Sequence, residues 1–280
     1  MPRIVYLASS PPERRDGLRR DVLVVRTNAL KQKLQANEPV IGVFMPLPSP
    51  QMVEVSAVAG FDFVLIDNEH GPLAAETAYA MVLAAESSGI TPIVRVGNRD
   101  KQEVLKYLDL GAQGIMSPQI HTAEAAESAV AGTKYVPRGT RGMAGGRTFN
   151  YGVGISAPEA AKKLNDEILT LIQFEHIDAL DELEEIVKVP DLDVLFVGPN
   201  DLAQSMGFPG EPGRAEVTEI GDRAVAIAKA AGVKTGTTAF TPQATHAALA
   251  RGFDMVVANA PGLYLQAAQT IVRETFPDRG

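Results

Sequence analysis

Short apolar runs rich in β-branched residues alternate along this chain with longer segments of helical spacing. There are eight such runs: VIGVFM near residue 40, FDFVLID near 61, TPIVRV at 91, AQGIMSP at 112, LTLIQFE at 169, DVLFVG at 193, VKTGTTAF at 233 and FDMVVANA at 253. Most of the segments between them contain helix formers at helical spacing, and several end at a Gly suited to the position after a helix. The pattern predicts eight β-strands separated by helices.

Strands that read as continuous apolar runs are typical of a parallel sheet covered on both faces. Eight strand–helix units in about 250 residues match a (β/α)8 TIM barrel, and a doubly wound α/β sheet is the alternative. We favour the barrel because polar residues follow several different strands, where the C-terminal face of a barrel would collect them. The predicted organisation is an N-terminal extension over residues 1–35, as an arm or a helix across the barrel bottom, and one barrel domain over 36–280.

Composition narrows the possible partners. The 280 residues are 45% hydrophobic, carry a net charge of −8 and include no cysteine. The charge disfavours a nucleic-acid surface, and the absence of cysteine excludes disulfides, thiolate metal sites and a cysteine nucleophile. No stretch reaches the roughly 18 apolar residues of a membrane span, and the basic opening has no apolar core of signal-peptide length. We expect a soluble, cytoplasmic protein that binds small molecules or itself.

Three ionisable side chains end the second predicted strand. Asp67, Glu69 and His70 follow FDFVLI and precede a Gly-Pro break, where a barrel strand opens into the cleft. Pro72 suits the first turn of a following helix. His70 would then face the mouth of the barrel. The alternative is that Asp67 and Glu69 cap that helix and that His70 is a solvated loop residue.

An arginine interrupts the third predicted strand. Arg95 lies inside the apolar run TPIVRV, where a guanidinium is costly unless it binds an anion or a carbonyl oxygen. We therefore expect an anionic or oxyanionic ligand beside it. A structural ion pair with a barrel carboxylate is the alternative.

The fifth and sixth predicted strands bring two carboxylates towards one point. Alternation places Gln173 and Glu175 on the inward face of strand five, with His176 on the other face. Asp201 follows strand six, and with Glu175 it supplies the protein share of an octahedral Mg²⁺ or Mn²⁺ site. The backbone N–H groups of Asn200 and Asp201 would suit a substrate carboxylate. Taken alone, Asp201 is also a good helix N-cap.

Lysine positions exclude one mechanism for a barrel lyase. A Schiff-base enzyme needs an inward lysine on a strand, yet the lysines here fall in helices, in loops or, for Lys234, at the start of strand seven. Enolate chemistry would therefore depend on a metal. The long stretch over residues 121–168 contains the glycine-rich RGTRGMAGGR, which lacks the P-loop pattern. We interpret the stretch as a mobile active-site flap, with Arg141 as the residue of it that contacts ligand.

Several of these segments occur together in one known family. FDFVLIDNEHGP, PIVRV, LDLGAQGIMSPQIHTAEAA, YVPRGTRG, QFE and VLFVGPNDLAQSMG, in that order over residues 40 to 260, resemble the class II pyruvate aldolases of the HpcH/HpaI aldolase/citrate lyase family. The resemblance implies a barrel of the phosphoenolpyruvate/pyruvate-binding type. It also implies cleavage of a 4-hydroxy-2-keto acid to pyruvate and an aldehyde through a metal-bound pyruvate enolate.

The resemblance assigns roles to individual residues. Glu175 and Asp201 would bind the divalent metal, Mg²⁺, Mn²⁺ or Co²⁺, and Gln173, Asn200 and Asp201 would contact the pyruvate moiety. His70 would be the general base, and Arg95 would stabilise the enolate oxygen. Asp109 would raise the basicity of the histidine. Because Asp109 precedes strand four, at the wrong end of its own barrel, it would have to reach His70 across a subunit contact in a homo-oligomer, in line with the family's hexameric habit.

Two other hypotheses about the function remain. One is a citrate-lyase-like enzyme that acts on an acyl-CoA thioester, which would need a longer and more basic entrance than this chain offers. The other is a catalytically silent barrel used as an assembly module, which the presence of His70, Arg95, Glu175 and Asp201 opposes. We expect the choice of aldehyde to depend on the loop in the 140s and on the chain termini.

Overall fold

The computed structural model describes residues 25–98 and 100–277, and eight parallel strands close into a barrel in chain order. The strands are β1 Val40–Met45, β2 Phe63–Asp67, β3 Thr91–Arg95, β4 Gly114–Ser117, β5 Leu169–Phe174, β6 Val194–Val197, β7 Lys234–Thr238 and β8 Met255–Asn259. All eight predicted strands are confirmed, and β8 pairs with β1 to close the ring. The barrel prediction is therefore correct, and the doubly wound alternative is wrong.

Helices surround the barrel. They are α1 Ala29–Gln35, α2 Pro50–Val58, α3 Ala75–Ser88, α4 Lys101–Leu110, α5 Ala123–Thr133, α6 Ala157–Glu167, α7 Leu183–Ile186, α8 Pro199–Ser205, α9 Ala215–Ala230, α10 Pro242–Ala250 and α11 Ala260–Thr275. Two 3₁₀ helices cover Arg147–Gly152 and Ile177–Leu180. No helix in the described ranges is long and apolar enough to cross a membrane. The cytoplasmic location stays a prediction.

The barrel interior is filled by side chains that alternate along each strand. Phe63, Leu65, Ile93 and Phe196 belong to one buried interior cluster, while the side chains between them face the helices. Gly42 makes room for this packing, because a Cβ at that position would lie 2.3 Å from the ring of Phe63. The same alternation carries upward, so that the last inward residue of each strand faces the C-terminal mouth.

Helix α1 closes the bottom of the barrel. Leu30 and Leu34 belong to the interior cluster, so the helix plugs the N-terminal end of the strands. The side chain of Asn28 donates to Gln113 O at 2.8 Å and to Glu167 O at 2.9 Å. This confirms a helix across the barrel bottom for the end of the predicted extension, whereas residues 1–24 lie outside the described residues.

The long stretch between β4 and β5 does not cover the active-site mouth of its own barrel. It contains α5, which returns to the N-terminal end of the barrel, and the glycine-rich segment then remains at that end until α6 begins. Arg147 shows this position, because it pairs with Glu86 near the end of α3 and donates to Leu110 O. Within one chain the flap prediction is therefore wrong, because the extra residues lie after the helix of the fourth unit and not before it.

Candidate active site

The C-terminal mouth of the barrel opens into a cavity of about 370 Å³. Residues from strands and loops all round the ring line it: Phe44, Pro46, Asp67, His70, Arg95, Gln173, Phe196, Gly198, Pro199, Asn200, Asp201, Thr238, Phe240 and Asn259. Six of the seven site residues predicted from sequence therefore meet here or directly beneath. The exception is Asp109.

Arg95 is the last residue of β3 and lies buried at the floor of the cavity. Its Nε and Nη2 donate to the two carboxylate oxygens of Asp67 at 2.9 and 2.7 Å, and Nη1 lies 3.1 Å from Glu69 Oε2. The guanidinium also covers the ring of Phe44 at 4.7 Å. The ion pair weighed as an alternative is thus present, and Arg95 faces the cavity as well. A guanidinium has five N–H bonds, so at least two remain for a ligand.

Asp67 organises the turn that carries His70. Its Oδ1 accepts from the backbone N–H groups of Glu69 and His70 at 3.2 and 3.3 Å. The following helix α3 begins only at Ala75, and its N-cap is Ala74 without a side-chain bond. The capping role of Asp67 and Glu69 is therefore wrong, and Pro72 lies outside the helix. His70 lines the cavity, and its ring has no hydrogen-bond partner among the described residues.

Glu175 lies just beyond β5, beneath the cavity wall, and is 3% exposed. Gln173 Nε2 donates to its Oε2 at 2.6 Å, which confirms that the two side chains share the inward face. Its Oε1 accepts from the backbone N–H of Gln119 at 2.7 Å. Gln119 adopts a left-handed conformation with φ 57°, uncommon for a residue other than glycine. At Gly198 a Cβ would lie 3.1 Å from the Cβ of Glu175, so the glycine leaves the carboxylate its space.

The charge on Glu175 is costly without a cation. Burial raises the pKa of this carboxyl to about 7, the Gln119 N–H opposes that rise, and the negative charges of Glu69 and Asp201 add to it. Burial also raises the pKa of Glu69, although Arg95 lowers it. Oxygen ligands and excess negative charge are what a hard divalent cation requires, so the residues fit such an ion. No group of three or more His, Cys, Asp or Glu in the described ranges could hold a metal alone, so water and substrate would supply the remaining ligands.

Asp201 and Asn200 lie in the first turn of the short helix α8. Gly198 is the N-cap and Pro199 occupies the first helical position, so Asp201 does not cap the helix. Both side chains line the cavity next to Gln173. The arrangement follows from the register of β5 and β6, because Gln173 pairs with Phe196 and Gly198 N donates to Phe174 O. The two carboxylates predicted from adjacent strands thus lie on the same side of the mouth.

Asp109 lies in the last turn of α4, at the opposite end of the barrel from the cavity. Its Oδ1 accepts from Arg141 Nη2 at 2.9 Å, and its side chain remains 30% exposed. Arg141 is buried and stacks over the ring of Tyr135 at 4.6 Å. The prediction that Arg141 contacts ligand is therefore wrong within this chain. The position of Asp109 agrees with the expectation that it cannot reach His70 of its own subunit.

Sequence reasoning missed several residues of the site. Thr238 and Asn259 end β7 and β8 at inward positions, and the period-two pattern that identified Gln173 applies to them equally. The sequence indicates Glu69 as an ionisable residue after strand two and as a candidate helix cap, whereas its contact with Arg95 depends on the turn. Gln119 acts through its backbone N–H, which no residue type could have indicated.

Lys234 begins β7 at the bottom of the barrel, as predicted, so it cannot serve as a Schiff-base lysine in the cavity.

The profile of the HpcH/HpaI aldolase/citrate lyase family matches residues 40–262. A hydroxypyruvate/pyruvate aldolase of Sagittula stellata is 40% identical over 191 residues, which are 68% of this chain and 74% of that protein. A 2-keto-3-deoxy-L-rhamnonate aldolase of Escherichia coli is 33% identical over 239 residues, covering 82% of this chain and 86% of that protein.

A solved structure agrees with the barrel. The crystal structure of an HpcH/HpaI aldolase/citrate lyase family protein from Burkholderia cenocepacia J2315 superposes with a TM-score of 0.84 at 32% identity, covering 89% of this chain and 99% of that chain. The family profile spans strands β1 to β8 and every residue that faces the cavity. The chain therefore belongs to the HpcH/HpaI aldolase/citrate lyase family, and it is a carbon–carbon lyase of the aldolase type.

Proposed function

We propose that this protein is a divalent-metal-dependent aldolase that cleaves, or forms, 4-hydroxy-2-keto acids to give pyruvate and an aldehyde. The observation that carries the proposal is the convergence of Glu175 and Asp201 on one side of a cavity that also contains Arg95 and His70. The two aldolase relatives support the same class of reaction.

Glu175 and Asp201 would hold Mg²⁺, Mn²⁺ or Co²⁺. Such an ion, when bound, supplies Lewis-acid stabilisation of the negative charge that develops on a 2-keto acid. Gln173 and Asn200 lie beside the two carboxylates and would contact the pyruvate moiety. Gln173 Oε1 is buried without a hydrogen-bond partner, which suits a group that waits for a ligand or a bound water.

Arg95 is the oxyanion donor of the site. Arg95 lines the cavity and keeps N–H bonds that Asp67 and Glu69 do not use, and these two carboxylates fix the guanidinium before substrate arrives. A donor that is held in place needs no reorganisation when charge develops on the enolate oxygen, and this is the condition under which such donors contribute most. Burial strengthens the same interaction because solvent screening is reduced.

His70 is the general base in cleavage. It takes the proton of the 4-hydroxyl, the O–H electron pair becomes the second bond of the aldehyde carbonyl, and the bond between C3 and C4 breaks. The electron pair of that bond stays with the three-carbon fragment as the enolate, whose oxygen Arg95 stabilises. A proton added at C3 then gives pyruvate, and the reverse sequence forms the bond.

We further propose that the enzyme is a homo-oligomer, a hexamer by resemblance, in which Asp109 supports His70 of a second subunit. Asp109 is partly exposed at the far end of the barrel, while the His70 ring has no carboxylate partner in the described part of its own chain. Helix α11 exposes Tyr264, Leu265 and Ile271, with 72%, 55% and 68% of their surfaces open. Large exposed apolar surfaces of this kind are typical of subunit contacts.

The metal requirement is tested with EDTA-treated protein, a 4-hydroxy-2-keto acid and a pyruvate assay, with and without Mg²⁺, Mn²⁺ or Co²⁺. We expect activity only with metal. Glu175→Gln should also weaken Mn²⁺ binding measured by electron paramagnetic resonance, whereas Glu167→Gln, at the bottom of the barrel, should not. Full activity of the metal-free protein would contradict the proposal.

The shared site is tested by mixing two inactive variants, His70→Ala and Asp109→Ala. Subunits that exchange would form sites with His70 from one chain and Asp109 from the other, so activity should rise above that of either parent. Mixtures no more active than the parents, together with a monomeric mass by light scattering, would remove Asp109 from the site.

The residues that line the cavity favour neither alternative. An acyl-CoA substrate needs cations for its nucleotide tail, and the cations that line the cavity in the described ranges are Arg95, already paired, and His70 when protonated. A silent assembly module would have no need of a buried Glu175 held by Gln119 and Gln173.

A further inference from the structure

The cavity has a charged half and a neutral half. Asp67, His70 and Arg95 come from β2 and β3 and the loops after them, and Asp201 follows β6. On the remaining arc, β7, β8 and β1 are consecutive in the closed ring and contribute a different set of side chains. We call this arc, made of Thr238, Phe240, Asn259, Phe44 and Pro46, the neutral half.

The neutral half has no charge to offer a ligand. Phe44, Pro46 and Phe240 present apolar surface, and Thr238 and Asn259 supply its side-chain hydrogen-bonding groups. Its five residues include no Lys, Arg or His, while the opposite half and floor contain four carboxylates, from Asp67, Glu69, Glu175 and Asp201. A ligand tail with its own carboxylate would lose hydration here without gaining a counter-charge. The neutral half therefore fits an uncharged group.

Asn259 occupies a helix N-cap position, but its side-chain oxygen is unsatisfied. It ends β8 opposite Phe44 of β1 and occupies the N-cap of α11, yet its side chain makes no capping bond. Its Oδ1 is buried and has no hydrogen-bond partner. A buried polar atom without a partner is unfavourable unless a ligand or water completes it. A hydroxyl group both donates and accepts, so it can bond either end of the amide.

We propose that the neutral half binds the aldehyde part of the substrate and selects short, uncharged aldehydes that carry a hydroxyl group, with Asn259 as the residue that binds this hydroxyl. The inference rests on the proposed function. Within one chain the loop in the 140s lies at the other end of the barrel, so the neutral half and not this loop can meet the substrate tail there. Strand β1 neighbours β2, so the tail of a substrate whose 4-hydroxyl lies at His70 can extend across β1 towards β8.

The proposed function is first tested without any aldehyde. Wild-type protein with Mg²⁺ should exchange the C3 protons of pyruvate for deuterium in D₂O, followed by nuclear magnetic resonance. This exchange needs the enolate but not the neutral half. Absence of exchange would defeat the proposed function, and the inference would fall with it.

The inference itself is tested in the bond-forming direction with pyruvate and three aldehydes. Glycolaldehyde and propanal have the same number of heavy atoms and differ by a hydroxyl, and succinic semialdehyde adds a carboxylate. We expect the highest kcat/KM for glycolaldehyde and the lowest for succinic semialdehyde. Because glycolaldehyde is intrinsically more electrophilic than propanal, the change in their ratio between variants is the decisive quantity.

Asn259→Leu keeps the number and branching of the side-chain heavy atoms and removes the amide. It should lower the ratio of kcat/KM for glycolaldehyde over propanal by about tenfold or more, the usual effect of losing a polar contact to a substrate hydroxyl. Thr238→Val should lower it by less. Thr237→Val is the control, since Thr237 bonds Val197 O and does not line the cavity, and it should leave the ratio unchanged. With exchange intact, an unchanged ratio in Asn259→Leu, or a preference for succinic semialdehyde, would overturn the inference.

Discussion

Two clusters of buried charge, one near each end of this barrel, differ in how completely their hydrogen bonds are satisfied. At the bottom, which we call the lower cluster, Lys31 bonds Ile168 O at 3.0 Å and Asp193 at 3.0 Å, and Lys134 bonds Asn165 O and Ile168 O at 3.0 and 2.7 Å. At the mouth, the upper cluster contains Asp67, Glu69, Arg95, Gln173 and Glu175. There Gln173 Oε1 is buried without a hydrogen bond, and Glu69 Oε2 has an ion pair with Arg95 but no well-aligned hydrogen bond.

The difference separates a structural role of charge from a functional one. The lower cluster ties α1 to the strand ends, and the side-chain nitrogens of both its lysines have hydrogen-bond partners. The upper cluster has an excess of carboxylate and donors that face open space, an arrangement that is stable only when a ligand or ion completes it. Four substitutions test whether the two clusters have these different roles.

The largest effect should follow from Arg95→Lys. Lysine keeps a positive charge between Asp67 and Glu69 but cannot bond Asp67 twice and still face the cavity. We expect kcat to fall about 10²- to 10³-fold, as for the loss of one oxyanion donor, with the fold retained. Pyruvate release measures kcat, and circular dichroism checks the fold. A kcat close to that of the wild type would mean that Arg95 is structural, like the lower cluster.

In the lower cluster, Lys31→Met should affect stability and not chemistry. Asp193 would lose its salt bridge and keep the N–H of Thr170 and the more distant charge of Lys134, so the free energy of unfolding should fall by about 3 kcal/mol in urea titrations at pH 7. The kcat of the folded enzyme should stay within about twofold of the wild type. A large loss of kcat without loss of stability would contradict the division between the two ends.

The buried ammonium of Lys134 should make the free energy of unfolding depend on pH. Burial, together with the nearby charge of Lys31, lowers the pKa of its ammonium to about 8 in the folded protein. Between about pH 8 and 10.5 the unfolded chain binds a proton that the folded chain does not, so this group makes stability rise with pH across that range. The rise should be about 1–3 kcal/mol in the wild type and absent in Lys134→Met, measured by urea unfolding from pH 7 to 10.5. Identical slopes in the two proteins would show that Lys134 stays charged.

The smallest effect should come from Gly145→Ala in the glycine-rich segment. A Cβ at this position meets no atom within 4 Å, and the segment lies at the barrel bottom. We expect kcat/KM to change by less than about twofold. A tenfold loss of kcat/KM would show that the segment does act on an active site, either as the flap first inferred from sequence or from a neighbouring subunit.

Most of the site could be predicted from sequence because it depends on local periodicity. Gln173 and Glu175 share a face by alternation alone, and His70, Arg95 and Asp201 each end or follow an apolar run. The failures involve what one segment meets in space. Arg141 looked like a ligand contact because loops rich in glycine and arginine often bind anions, but its loop follows α5 at the other end of the barrel. Asn259 lies at an inward position that alternation along β8 also indicates, but its place in the cavity wall depends on the pairing of β8 with β1.

The eight strands, the helices that separate them and the inward direction of side chains follow from the amino-acid sequence alone, because each depends on spacing within about a dozen residues. The three-dimensional structure was needed to show that Asp67 and Glu69 bind Arg95, that the backbone of Gln119 bonds Glu175, and that β8 pairs with β1 and gives the mouth a neutral half. These contacts join residues distant along the chain, which only the pairing of neighbouring strands and the closure of the barrel bring together.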